Sequence, residues 1–161
     1  MQIKRRTCCF TGHRTVSAEY RQSLPLKLEK QIRLLIQQGI VDFIAGGARG
    51  FDTMAALAVL KLREEFPQIR LLLALPCKDQ TKGWPLREKL LYDNILQSAD
   101  TVHYLSEAYT SSCMMQRNRF MVDHSEVCVF FLTAPRGGTY KTVEYALAQN
   151  LRLCNILTLS L

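Results

Sequence analysis

Short apolar runs alternate along this chain with longer segments whose apolar residues recur every three to four positions, the pattern of βαβ units wound around a parallel sheet. Six runs read as strands: TCCFTG from Thr7, VDFIAGG from Val41, IRLLLALP from Ile69, ADTVHYL from Ala99, EVCVFFLT from Glu126 and LRLCNIL from Leu151. The segments between them read as amphipathic helices. In SLPLKLEKQIRLLIQQG, Leu28, Ile32, Leu35 and Ile36 share one face, Ser23 can cap, Pro25 suits the first turn and Gly39 ends the helix. FDTMAALAVLKLREEF sets Met54, Leu57, Ala58 and Leu62 on one stripe, and RGGTYKTVEYALAQN does the same with Val143, Ala146 and Leu147. A further helix starts near Pro85 with Leu90, Leu91, Ile95 and Leu96 facing inward, and another runs from about Ser112 to His124. The expectation is an α/β fold around a sheet of about six strands.

Composition narrows the class. Of the 161 residues, 48% are hydrophobic and 22% charged, which excludes a disordered chain and a membrane bundle. Without repeats, linkers or low-complexity tracts, residues 1–161 are expected to form a single domain. No apolar stretch approaches the roughly 20 residues a bilayer helix needs, and MQIKRRTCCF lacks the apolar core of a signal peptide, so a cytoplasmic location and no membrane partner are expected. The six cysteines form no C-x-x-C and sit mostly in strand-like runs, as reduced core thiols do. No spacing among His13, His103 and His124 suggests a metal site, and no cofactor is expected. Twenty-one Lys and Arg against 14 Asp and Glu give a formal charge of +7, which favours an anionic partner. Because the basic residues are scattered, a small phosphorylated ligand accounts for the surplus as well as a nucleic acid does.

The carboxyl ends of parallel strands form the ligand crevice of such sheets, and the unusual residues collect there. After the first strand come Gly12, His13 and Arg14; after the second, GGARGFD, with Gly46, Gly47, Arg49, Gly50 and Asp52; after the third, PCKDQTKGW; after the fifth, APRGGTYKT, with Gly137, Gly138, Thr139 and Thr142. Glycine lets backbone approach a ligand, and a following helix offers free N–H groups to an anion. The two glycine turns therefore read as halves of a phosphate cradle. No G-x-G-x-x-G fingerprint and no G-x-x-x-x-G-K-[ST] loop occurs, against a dehydrogenase or P-loop nucleotidase. Arg49, at a glycine-rich tip, reads as a phosphate or carboxylate binder, and Arg14 likewise. Asp52 suits either a helix cap or a ligand contact.

CFTGHR, GGARGFD, Pro76 and Trp84 bracketing the third loop, and GGTYKTVEYA together resemble the SLOG superfamily, most closely its YpsA-like branch, from Cys9 to about Ile156. The resemblance implies a Rossmann-like three-layer α/β/α sandwich with a mostly parallel sheet. It also implies a nucleotide-like or ADP-ribose-like ligand. The superfamily includes the Lonely Guy phosphoribohydrolases and the DNA-processing protein A group, which binds single-stranded DNA. MMQRNRFMVDHS is similar to the M-x-x-R-K-x-x-M helix of the Lonely Guy enzymes, placing Met114, Arg117 and Met121 in register, and PRGGTYKTVE places Glu144 at their catalytic glutamate. Asn118 replaces the lysine, Arg136 separates Pro135 from Gly137, and Tyr140 and Lys141 replace the second glycine–threonine pair. The loop PCKDQTKGW resembles P-x-x-x-Q-x-x-x-W, which implies Gln80 near the ligand.

Three readings follow. The first is a sensor or effector that binds a phosphorylated nucleotide-derived ligand. The second is a nucleoside monophosphate phosphoribohydrolase in which Arg117 holds phosphate or ribose and Glu144 acts as the glycosidic bond loosens, the alternative for that pair being a structural ion pair. The third is a single-stranded nucleic-acid binder. Trp84 suits a base stack or a core anchor, and His13 a phosphate contact or a backbone hydrogen bond. Thr139 and Thr142 suit phosphate contacts or helix caps. Homodimerisation, common in the superfamily, is expected through LREKLLYDNIL or MMQRNRFM.

Overall fold

The computed structural model describes residues 5–161; Met1 to Lys4, which belong to the segment read for a leader and to the expected 1–161 domain, lie outside it. Strands β1 (Thr7–Gly12), β2 (Asp42–Ala45), β3 (Arg70–Leu75), β4 (Thr101–Tyr104), β5 (Val127–Phe131) and β6 (Arg152–Asn155) form one sheet in the order β4-β3-β2-β1-β5-β6. Every pairing is parallel, with Cys9 opposite Ile44 on one side and Cys128 on the other. This is the Rossmann-like α/β fold that the alternation predicts.

Alternate residues of each strand feed two cores. On one face Cys8, Phe10, Phe43, Leu71 and Leu73 pack under α1 (Ala18–Arg21), α2 (Ser23–Gln37), α3 (Phe51–Glu65) and α4 (Leu86–Ser98). On the other, Cys9, Ile44, Leu72 and Cys128 pack under α5 (Cys113–Asp123) and α6 (Gly137–Ala148). Helices thus cover both faces of an apolar parallel sheet, as its two-sided burial requires. All six cysteines are free, and five are buried. Burial raises the Cys8 thiol well above its usual pKa, helped by the neighbouring Cys9 and Cys154.

Three helical stripes differ from expectation. In α3, Leu57 is exposed, and Ala55, Ala56, Ala58, Val59 and Leu62 are the buried set. In α6 the buried set is Thr139, Thr142 and Ala146, with Leu147 exposed, and in α4 Leu90 faces solvent while Ile95 is buried. In α3 and α6 the small residues let the helix lie close on the sheet, so Leu57 and Leu147 are displaced to the flanks. In α2 the expected Leu28, Ile32 and Leu35 are buried, but Ser23 does not cap; its hydroxyl donates to the Tyr20 carbonyl.

Candidate functional site

β1 lies between β2 and β5, so the chain reverses its direction of winding at the β1–β5 junction, where α/β sheets open a crevice beyond their carboxyl ends. A cavity of about 430 Å³ sits there. It is lined by Gly12, His13 and Arg14 from the loop after β1, Ala48 and Asp52 from the β2–α3 turn, Met114, Arg117 and Asn118 from α5, and Gly138 and Thr139 from α6.

Arg117 is the buried cation of this crevice, at 4% exposure. One turn of α5 spaces Met114, Arg117 and Asn118 on a common face, and Met121 follows a turn later. The guanidinium donates Nη1 to the Gly46 carbonyl, Nε to Asn118 Oδ1 at 2.8 Å, and Nη2 to the Met114 sulfur at 3.8 Å. Asn118, which stands where the family motif has lysine, thus orients the arginine. Burial lowers the Arg117 pKa, Asp52 opposes that shift, and the guanidinium stays charged.

Asp52 faces Arg117 across Gly46. A Cβ on Gly46 would lie 2.6 Å from Arg117 Nη1 and 2.8 Å from Asp52 Oδ2, so a side chain there would push the two charged groups out of their present positions. The Asp52 carboxylate accepts the Ala48 N–H at 3.3 Å, bracing the turn rather than capping α3. Burial raises its pKa, opposed by Arg117 and the Ala48 N–H.

The turn is closed by its own protein neighbours. Gly47 and Gly50 both take positive φ, 69° and 74°. A Cβ on Gly50 would meet the Arg14 carbonyl carbon at 2.5 Å, and the Phe51 N–H donates to the His13 carbonyl at 3.1 Å. The loops after β1 and β2 therefore pass in contact, and the N-terminus of α3 is partly satisfied by His13. Gly12 likewise leaves room for the Phe51 ring, and Gly47 for Leu75 and Gln80.

The turn into α6 is open. Among the described residues nothing lies within 4 Å of where a Cβ would stand on Gly137 or Gly138, and Gly138 and Thr139 line the crevice. Among the described residues no side chain caps the helix, and with Gly138 and Thr139 at the cavity its first N–H groups and positive dipole end lie on that side of the sheet. Thr142 turns its hydroxyl back to the Gly138 carbonyl at 2.8 Å.

The other expected residues lie around this centre. His13 accepts the Thr133 N–H on Nε2 at 2.9 Å, tying the β1 and β5 loops together, and burial lowers its pKa, so it is a neutral acceptor there rather than a cation. Arg49 has structural contacts: its Nε lies 2.5 Å from Glu88 Oε2 and its guanidinium 6.0 Å from the Trp84 ring centre. Trp84 packs edge-on against Tyr92, and Gln80 is buried beside it with neither amide atom partnered among the described residues. Gln80, Trp84, Arg14 and Arg49 line a small adjoining cavity of about 80 Å³. Glu144 is exposed on α6, where its carboxylate raises the pKa of Tyr140, and it makes no ion pair with Arg117. Ser111 and Met115 also line the crevice, although no motif of the sequence points to them; for Met115 the signal was its place on the α5 turn beside Met114, and Asn118, noted only as a departure from the lysine of a motif, lines it too.

An open α/β sheet with its crevice at the winding reversal and glycine turns on both sides defines a Rossmann-like ligand-binding class. Within that class the chain belongs to the YspA SLOG family, whose YpsA model matches residues 10–155. It is 30% identical over 138 residues to an uncharacterized SPbeta prophage-derived protein of Bacillus subtilis, YoqJ, covering 75% of this chain and 81% of that one. It is 31% identical over 107 residues to a UPF0398 protein of Bacillus pumilus, covering 65% of this chain and 58% of the relative. Among solved structures it shares its fold with DNA processing protein A from Streptococcus pneumoniae, at a TM-score of 0.66 and 19% identity over 91% of this chain and 48% of that chain. The same protein from Helicobacter pylori, described for its single-stranded DNA binding mode, gives a TM-score of 0.66 at 17% identity, over 91% and 63% of the two chains. This chain thus spans less than two thirds of both DNA processing proteins and of the Bacillus pumilus relative. No described helix is long and apolar enough to cross a membrane.

Proposed function

We propose that this chain is a cytoplasmic, single-domain SLOG protein that binds a phosphorylated nucleotide or nucleotide-derived ligand, such as an ADP-ribose-like molecule, as a sensor or effector. The observation that carries this reading is the buried Arg117 set in the same crevice as the uncapped, open N-terminus of α6. A phosphate there would meet backbone N–H groups, a helix dipole and a fixed cation together. The Thr139 hydroxyl would add a donor, and the unpartnered Gln80 amide would serve the base or ribose. The phosphoribohydrolase reading would need Glu144 at the ligand, and its exposure and its absence from the crevice lining favour binding over cleavage. A nucleic-acid ligand draws support from the fold shared with DNA processing protein A and from the +7 charge. Exposed Leu86 and Leu90 on α4 support that helix as the face where a second copy would pack.

The test is calorimetric titration with AMP and ADP-ribose, with chromatography of the recovered ligand. Saturable binding with the ligand recovered whole, unchanged in Glu144→Gln, is expected. Free base that disappears in Glu144→Gln would instead make the protein an N-glycosidic hydrolase, and no binding of either ligand would remove the nucleotide reading.

A further inference from the structure

A second cavity of about 500 Å³ adjoins the crevice, between the loop after β1, α1, the β2–α3 turn and the start of α4. Four guanidiniums line it, from Arg14, Arg21, Arg49 and Arg87, against the single carboxylate of Glu88. Glu88 is already held by Arg49 at 2.5 Å, and Arg21 spends its Nε on the Val16 carbonyl at 3.0 Å. Among the described residues the Arg14 and Arg87 side chains make no hydrogen bond and no ion pair. Concentrating four cations around one concavity raises their mutual repulsion, which an anion seated between them relieves. Arginine rather than lysine suits the planar, forked recognition of phosphoryl oxygens.

Arg14 lines both this groove and the crevice, so the two spaces meet at one side chain. The crevice has Arg117 opposed by Asp52, whereas the groove carries the larger cationic surplus. We infer that the groove is a second phosphoryl subsite, and that the ligand is a small molecule with two phosphoryl groups separated by a nucleoside, of the kind a 5′-phosphorylated dinucleotide represents. One phosphoryl group lies at the N-terminus of α6; the other lies beyond Arg14, within reach of Arg21 and Arg87. Val16, Met54 and Leu91 line the groove with the apolar surface a base would cover. This inference rests on the crevice binding the first phosphate.

The experiment compares the affinities of AMP and 5′-phosphorylated diadenylate for the wild type, Arg87→Glu and Arg21→Gln. Arg87 is exposed and makes no ion pair among the described residues, so its variant is expected to keep the wild-type melting temperature; Arg21→Gln repeats the test on a different helix. The dinucleotide should bind at least about tenfold more tightly than AMP, and each variant should erase most of that gain while leaving AMP within about twofold. Equal affinity for the two ligands, or parallel loss of both in the variants, would overturn the groove and leave the crevice reading standing. Binding of neither ligand would overturn both. Affinity that keeps climbing from two nucleotides to ten would overturn the small-ligand assignment in favour of a nucleic-acid strand.

Discussion

In the turn from Gly46 to Asp52 the space a side chain would occupy is filled by protein: Arg117 and Asp52 at Gly46, the Arg14 carbonyl at Gly50. In the turn from Arg136 to Thr142 no described residue fills the corresponding spaces at Gly137 and Gly138. Both turns carry paired glycines and both lead from a strand into a helix. The first uses glycine to let two loops and a buried charge pair approach one another, and the second uses it to keep a helix end bare. A glycine-rich turn in an α/β sheet can therefore be a structural hinge or a ligand seat, and the neighbours of its missing Cβ atoms decide which.

The sharpest way to break this contrast is at Gly50. Alanine there meets backbone and must hold a φ of 74°, so Gly50→Ala should cost about 3 kcal/mol, read as a lower urea midpoint at an unchanged m-value. A fully stable Gly50→Ala protein would sink the claim that this turn is closed.

Arg117→Met comes next. It removes the hydrogen bond to the Gly46 carbonyl and the charge facing buried Asp52, with an expected loss of about 2 kcal/mol in denaturation and loss of AMP binding in titration. Retained affinity with lost stability would make Arg117 a structural residue alone.

Gly138→Ala should behave in the opposite sense. With nothing within 4 Å, alanine should leave stability within about 0.5 kcal/mol or raise it slightly, while AMP affinity falls. Destabilisation without loss of binding would erase the difference between the two turns.

The smallest effect concerns pH. His13 has a folded pKa below its unfolded value, so the unfolded chain binds the extra proton as pH falls through about 6.5. The stability contributed by its neutral form is present above that pH and is lost as pH falls toward the folded pKa. Relative to His13→Asn, the wild-type denaturation midpoint should therefore decline between pH 7 and 5, and parallel pH profiles would show that the Thr133 bond contributes nothing.

The four central strands β1, β2, β3 and β5 were legible because a sheet buried on both faces demands short apolar runs, which stand out against the helical period, while the exposed edge strands β4 and β6 were marked by their place between helices. The α2 stripe was legible for the same reason. Alanine misled the reading of α3: a stripe drawn through Leu57 overlooks that Ala55 and Ala56 allow the closer approach, and so they face the core. At the site, order along the chain located the loops but carried no distances. Arg117 and Glu144 read as partners by motif, yet Arg117 turns toward Gly46, 71 residues away in another loop, and Glu144 stays exposed on α6. Arg49 seemed unoccupied because Glu88, its partner, lies on α4, beyond the reach of local pattern.

Cys8 and Cys9 are adjacent on β1 and buried in opposite cores, one under α1 to α4 and the other under α5 and α6. The strand therefore carries two built-in reporters of opening. A thiol reagent can reach Cys8 only when the first helical layer lifts and Cys9 only when the second does. Equal labelling rates at the two positions would mean the layers come apart in one cooperative event, and unequal rates would rank them as separate opening units. Because the crevice takes Arg14 from the first side and Arg117 and Gly138 from the second, those two rates would also say which half of the site ligand holds shut.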